Sequence, residues 1–161
     1  MSNSIFFKKG IIKGVVVRNL ARYLDERGWL VELYREDELQ GYSLPNMAYA
    51  SLTLPGIVRG PHAHHEQTDL FCFVGPGNFK LVLWDNRPDS ETYGTMQIIF
   101  AGQDSPVAVT VPPGVVHGYK SLGPVPGLVF NAPDKLFAGW NKKEEIDEIR
   151  YENDPDSPFK I

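Results

Sequence analysis

The side chains best suited to chemistry in this chain are its histidines. There are four: His62, His64 and His65 fall within four residues, and His117 stands alone. They occupy two spacings. One is Gly56-x5-His62-x-His64, followed by Asp69; the other is Pro112-x-Gly114-x2-His117. Imidazole takes up and releases protons near neutral pH and is also a common ligand group. Converging histidines therefore point to proton transfer or to ligand binding, and the residues alone leave the choice open.

Positioning those rings is a task for strands. His62 and His64 are two apart, so on a strand they point to one face, while His65 has the opposite parity and points outward. His65 is assigned no role. Pro112 to Gly114 forms a turn that feeds a strand from about Val115, and that turn can place His117 on the facing sheet. A barrel would then bring His62, His64 and His117 together inside. One histidine on a strand is ordinary, and one H-x-H pair arises by chance. Both spacings in a chain with no histidine elsewhere but His65 beside the first are harder to ascribe to noise.

The rest of the chain reads as short strands. Gly14 to Val17, Trp29 to Tyr34, Met47 to Leu54, Thr68 to Val74, Phe79 to Trp84, Met96 to Phe100, Val107 to Val111 and Leu128 to Phe130 are the candidates. Asp25-Glu26-Arg27-Gly28 is a turn, and Gly75-Pro76-Gly77-Asn78 joins its flanking strands as a hairpin. Helix is expected only over Lys142 to Arg150, with a second short one over Leu20 to Glu26. The Pro-containing tail from Asn153 to Pro158 cannot hold a regular helix; it is expected to wrap the barrel or cross to another subunit. No repeat or linker divides the chain, so residues 1–161 are expected to form one domain.

Fifteen Gly and thirteen Pro in 161 residues agree with many tight turns. The net charge is −4 and no Lys/Arg block occurs, which argues against nucleic acid or an anionic membrane as partner. Cys72 is the sole cysteine, within the apolar run Leu70 to Val74, and reads as a buried structural thiol. Met1-Ser2-Asn3-Ser4 lacks the charged start of a leader and no apolar run reaches membrane length, so a cytoplasmic protein is expected.

The paired histidine spacings resemble those of the cupins, which are jelly-roll β-barrels. The expectation is all-β: a cupin barrel with a short C-terminal helix and tail. A closer likeness covers most of the chain. Ile12-Lys13-Gly14-Val15 and Asp25-Glu26-Arg27-Gly28-Trp29-Leu30-Val31-Glu32 resemble the N-terminal signature of the dTDP-4-dehydrorhamnose 3,5-epimerases. Arg59-Gly60-Pro61-His62 resembles that family's R-G-L-H. Asp85, Arg87, Ser90, Thr92 and Gly94 resemble its D-x-R-x-x-S-x-T-x-G. Val111-Pro112-Pro113-Gly114-Val115-Val116-His117-Gly118 resembles its I-P-x-G-x-x-H-G, and Asn153-Asp154-Pro155 echoes its W-N-D-P.

The resemblance implies an isomerase working beside the C4 ketone of a dTDP-4-keto-6-deoxyhexose, in deoxysugar biosynthesis. A base removes the acidic C3 or C5 proton and an acid returns it on the other face. It implies His62 as base, His117 as second site histidine and Arg59 near the phosphates or sugar. It further implies that Gln67 binds substrate, and that Arg27, Leu30 and Glu32 belong to a strand holding the nucleotide across a homodimer interface. No cofactor is implied by this likeness.

Four positions depart from the family. No S-x-K-D segment supplies an Asp partner for the base, and Asp134-Lys135-Leu136-Phe137 stands where the family's Tyr acid occurs; Trp140 and Tyr151, the nearest polar-tipped aromatics, are out of register with it. Asp69 replaces an enolate-stabilising lysine. At about 4 Å and an effective dielectric near 20, a carboxylate there would oppose an enolate by about 4 kcal/mol. His64 replaces a glutamine, and with Asp69 it restores the metal-ligand pattern of the wider cupins: His62, His64, Asp69 and His117. Such a set suits Zn, Mn, Fe, Co or Ni. Arg-Gly followed by His-Ala-His also resembles the sugar-nucleotide 3,4-ketoisomerases, which work without metal and use a tyrosine on the preceding strand; Tyr49 lies on such a strand. Three functions follow: a sugar-nucleotide epimerase or isomerase, a metal-dependent cupin enzyme on another small substrate, and a non-catalytic nucleotide-sugar-binding module.

Overall fold

The computed structural model describes residues 6–39 and 41–161. Met1-Ser2-Asn3-Ser4, on which the absence of a leader was argued, lies outside the described residues. Among the described residues thirteen strands follow one another: β1 (Lys8–Lys9), β2 (Val16–Asn19), β3 (Arg22–Asp25), β4 (Gly28–Val31), β5 (Tyr49–Thr53), β6 (Val58–Ala63), β7 (Asp69–Phe73), β8 (Asn78–Asp85), β9 (Thr95–Gly102), β10 (Val107–Val111), β11 (Val115–Leu122), β12 (Gly127–Asn131) and β13 (Ile149–Arg150). They make a six-stranded sheet in the order β1-β9-β8-β11-β6-β13 and a five-stranded sheet in the order β2-β10-β7-β12-β5; β3 and β4 form a separate hairpin. Apart from the parallel β1–β9 pair, neighbours are antiparallel. The all-β expectation holds. The hydrogen-bonded ladders stay as two facing sheets and do not close into one continuous barrel.

Strand alternation explains the layers. On β7, Phe71 and Phe73 point between the sheets, where they pack with Phe79, Leu81, Leu83, Val109 and Val111. Leu70 and Cys72 point the other way, beneath Leu20, Val31 and Leu33. On the six-stranded sheet, Val82, Trp84, Val116 and Ala63 face outward and are covered by Phe159, Phe7, Tyr151 and Ile161. Both faces of the central strands are therefore apolar, which is why β7 and β8 read as near-continuous hydrophobic runs.

Several expectations are corrected. Lys142 to Arg150 is not helical: it holds the end of a 3-10 turn (Trp140–Lys142), then irregular backbone, then β13. Its charges line a cleft on one side, and Ile149 pairs with Ala63 of β6, so tertiary pairing overrides the local pattern. Leu20 to Glu26 holds strand β3, not a helix, because Arg22 to Asp25 pair with β4 around the expected Asp25–Gly28 turn. β7 and β8 are not a hairpin. β7 pairs with β10 and β12, β8 with β9 and β11, and Gly75 to Gly77 cross from one sheet to the other. The tail wraps its own chain, as the packing of Phe159 and Ile161 shows. β2 lies on the edge of the five-stranded sheet, where Val16 to Asn19 pair with β10. No helix among the described residues is long and apolar enough to cross a membrane.

Candidate active site

One end of the space between the sheets is apolar; the other is a cleft of about 1180 Å³ lined by His62, His64, Tyr49, Tyr119, Arg59 and Glu148, among others. Phe71 separates the two, its ring 5.3 Å from that of His117.

β6 and β11 place the main pair. His62 stands opposite His117 in the ladder, on the same sheet and not on the facing one as the turn at Pro112 suggested. The register then slips: Tyr119 pairs with Arg59, so β6 carries an extra residue at Gly60-Pro61. Gly60 has φ +80°, and a Cβ there would lie 2.8 Å from the carbonyl of His117. Only glycine fits that approach. His64 follows at the end of β6, and the facing strand β7 contributes Asp69. Ring centroids are 4.5 Å apart for His62 and His117, 5.7 Å for His62 and His64, and 5.8 Å for His64 and His117. His65 is exposed at the rim, as parity required.

Asp69 is the electrostatic centre. Its Oδ2 lies 3.1 Å from Nε2 of His64 and 3.3 Å from Nε2 of His117. Its Oδ1 accepts from Gln67 at 3.0 Å and from Asn131 at 2.8 Å. Burial opposes its charge, but the two imidazoles outweigh burial and hold the carboxyl well below its usual range. Both rings are fixed from behind. Nδ1 of His117 faces the Val115 carbonyl at 3.0 Å, and Nδ1 of His64 faces the Asp147 carbonyl. A backbone carbonyl can only accept, so each Nδ1 carries the hydrogen and each Nε2 turns to Asp69. For His64, burial again opposes charge, and the neighbouring Asp69 raises the ring above its ordinary value. His62 differs. Burial, then the other two imidazoles, push it down to about 3, so the ring is neutral at pH 7 and one of its nitrogens keeps a lone pair.

Of the substrate-binding candidates, Tyr49, Arg59 and Gln67 reach the cleft. Arg59 is braced by Thr53 Oγ1 and the Leu52 carbonyl, each at 2.9 Å. Arg27, Leu30 and Glu32 do not line it: the first two belong to the exposed β3–β4 hairpin, Glu32 follows it, and Arg27 pairs with Asp25. Trp140 lines the cleft, whereas Tyr151 packs outside under Phe159. Sequence reasoning missed four contributors. Asn131 links Asp69 to the Tyr49 hydroxyl, donating to each; its inward parity with Val129 was a usable signal. Tyr119, two residues after His117 on β11, was another parity signal. Asp147 accepts from the backbone N–H groups of His65, Glu66 and Gln67 and so holds the loop bearing His64. Glu148 stands 4.0 Å from Nδ1 of His62. The last two lay in a segment read as helix.

The donor set also fits a divalent cation. Nitrogens of His62, His64 and His117 lie within 4.8 Å of one another, and Asp69 Oδ2 and His117 Nε2 are buried without a hydrogen bond of acceptable geometry.

Two facing antiparallel sheets with a histidine-lined cleft at one end define a cupin-type jelly roll. The sequence profile of the dTDP-4-dehydrorhamnose 3,5-epimerase family matches residues 9–150, and the chain belongs to that family. It is 38% identical over 118 residues to the Bacillus subtilis spore coat polysaccharide biosynthesis protein SpsL, covering 72% of this chain and 76% of that one. It is 37% identical over 136 residues to the probable low-salt glycan biosynthesis epimerase Agl13 of Haloferax volcanii, covering 83% and 86%. The crystal structure of a dTDP sugar isomerase from Desulfovibrio desulfuricans G20 matches with a TM-score of 0.80 at 27% identity, over 92% of this chain and 91% of that one. A dTDP-4-dehydrorhamnose 3,5-epimerase from Bacillus anthracis, solved with TDP and PPi bound, matches at 0.69 and 25% identity, over 77% and 74%.

Proposed function

We propose that this chain, as one domain, is a sugar-nucleotide epimerase or isomerase acting beside the C4 ketone of a dTDP-4-keto-6-deoxyhexose. The observation that carries this is His62: a neutral, mostly buried imidazole on one wall of a cleft whose facing sheet presents the Tyr49 hydroxyl. Inversion beside a ketone needs a base on one face of the sugar ring and an acid on the other. His62 takes the proton and the C–H electron pair passes into the enolate. Tyr49 accepts a hydrogen bond from Asn131 at 2.9 Å, so its own proton is free to return to carbon from the opposite face. Partial burial pushes that phenol up to about 12 and keeps it protonated. Arg59 is suited to the phosphates. Solvent deuterium entering C3 or C5 of dTDP-4-keto-6-deoxyglucose tests the proposal, and no entry at any pH rejects it. Binding of the nucleotide sugar without exchange would favour a non-catalytic module.

A divalent cation is the second reading, favoured by three imidazoles whose nitrogens lie within 4.8 Å of one another beside the buried Asp69 carboxylate. His62, His64, Asp69 and His117 would hold it, and it would polarise a carbonyl oxygen. Elemental analysis of protein purified without chelators decides this; no stoichiometric metal and no loss of thermal stability with a chelator count against it.

A second copy of the chain is the partner we propose for the hairpin. Tyr23, Leu24, Trp29 and Leu30 are exposed there, and pairing two copies would carry Arg27, Leu30 and Glu32 toward a neighbour's cleft. A monomer in sedimentation would contradict it. The expected location is the cytoplasm.

A further inference from the structure

Glu148 lies between the base and a surface cation. Its Oε1 is 4.0 Å from Nδ1 of His62, just beyond hydrogen-bond reach. Its Oε2 is taken by Arg150, whose Nε lies at 2.8 Å and whose terminal nitrogen lies at 2.7 Å. The Glu148 side chain is only 16% exposed, whereas that of Arg150 is 55% exposed and lines the cleft. The placement follows from the backbone: Arg150 of β13 pairs opposite His62 of β6. The other cleft cations are differently held. Arg59 is braced by neutral oxygens, Lys135 is paired with Glu66 at 3.5 Å, and Lys142, also on the cleft, sits at the end of the 3-10 turn. Arg150 is thus an accessible guanidinium that, among the described residues, pairs with the carboxylate beside the base.

We propose that Glu148 is the positioning residue for His62 and that Arg150 is its latch, opened by a phosphate group of the substrate. This rests on the epimerase reading. With the cleft empty, Arg150 holds Glu148 short of the ring. A diphosphate entering the cleft draws the guanidinium to itself, since a doubly bonded Arg–phosphate contact is stronger than a shared carboxylate oxygen. Glu148 then closes onto Nδ1–H of His62. That contact fixes the tautomer, so Nε2 keeps its lone pair. Nε2 takes the proton from the carbon beside the ketone, the C–H pair moves into the enolate, and Glu148 stabilises the resulting imidazolium. Binding energy from the non-reacting end of the substrate is used at the reacting carbon.

The test uses the whole protein and a truncated substrate, 4-keto-6-deoxyglucose without nucleotide, with deuterium exchange at C3 followed by NMR. Added inorganic pyrophosphate is expected to speed exchange by wild type at least ~10-fold, a modest share of what such positioning can supply. Arg150→Gln should exchange the truncated sugar near the stimulated rate and ignore pyrophosphate; with the intact nucleotide sugar its KM should rise while kcat holds. Glu148→Gln should lose the stimulated rate at unchanged KM, and Glu148→Asp should recover part of it. A purely structural brace would not give that split. Stimulation that persists in Arg150→Gln, or a wild-type rate in Glu148→Gln, overturns the latch alone. Wild type that exchanges no intact nucleotide sugar overturns the epimerase reading and the latch with it.

Discussion

His62 and His117 face each other across β6 and β11 with ring centroids 4.5 Å apart, yet only His62 opens on the cleft. His117 is 1% exposed and is held by Val115 behind it and Asp69 beside it. The two rings therefore differ in work despite their symmetry in the ladder. His117→Ala should leave a cavity and remove the imidazole beside buried Asp69, at about 2–4 kcal/mol. Chemical denaturation checks this; a loss below about 0.5 kcal/mol would show that Asp69 needs no such partner.

Asp85 accounts for the family's D-x-R-x-x-S-x-T pattern, and its role is structural. Fully buried, it accepts from Arg87, Ser90 and Thr92, and Arg87 in turn reaches the Lys13 carbonyl to fasten the N-terminal segment. Burial pushes the carboxyl up, but these donors win and hold it at about 2. The unfolded value is about 3.9. Stability from this group is thus fully present above about pH 4 and is lost as pH falls toward 2, at up to about 1.4 kcal/mol per pH unit. Asp85→Asn should be less stable at neutral pH and should lack that acid slope. Parallel pH–stability curves for the two proteins would contradict the assignment.

Phe159 seals the outer face of the sheet that carries both histidines. It is 3% exposed and meets Tyr151, Phe7 and Trp84 with centroids 4.7, 5.4 and 5.5 Å away. Phe159→Ala should cost about 3–5 kcal/mol in unfolding free energy. Thermal unfolding measures it, and an unchanged midpoint would mean that the tail is dispensable.

Local pattern carried much of this far. The parity of His62, His64 and His65, the turn before Val115 and the apolar runs of β7 and β8 were all legible, because period-two alternation is a property of the strand itself. What failed depended on pairing between distant segments. Sheet membership decided that β7 and β8 part company at Gly75, and that His117 neighbours His62. The segment from Lys142 to Arg150 has helical spacing at Ile146 and Ile149, but the free edge of β6 recruits it as a strand, and Asp147 and Glu148 reach the site only as a result. Asp69 does lie against His64 and His117, whereas Asn131 was passed over because an asparagine at a strand end resembles a turn residue.

The proposed reaction turns on His62 as the base. Deuterium entry at C3 of dTDP-4-keto-6-deoxyglucose, followed by NMR for wild type and His62→Asn side by side, tests it most directly. The predicted result is exchange by wild type and a loss of about 10²–10⁴-fold in His62→Asn, the range for removing a general base, with unfolding showing a folded variant. Equal exchange by the two proteins would contradict the account.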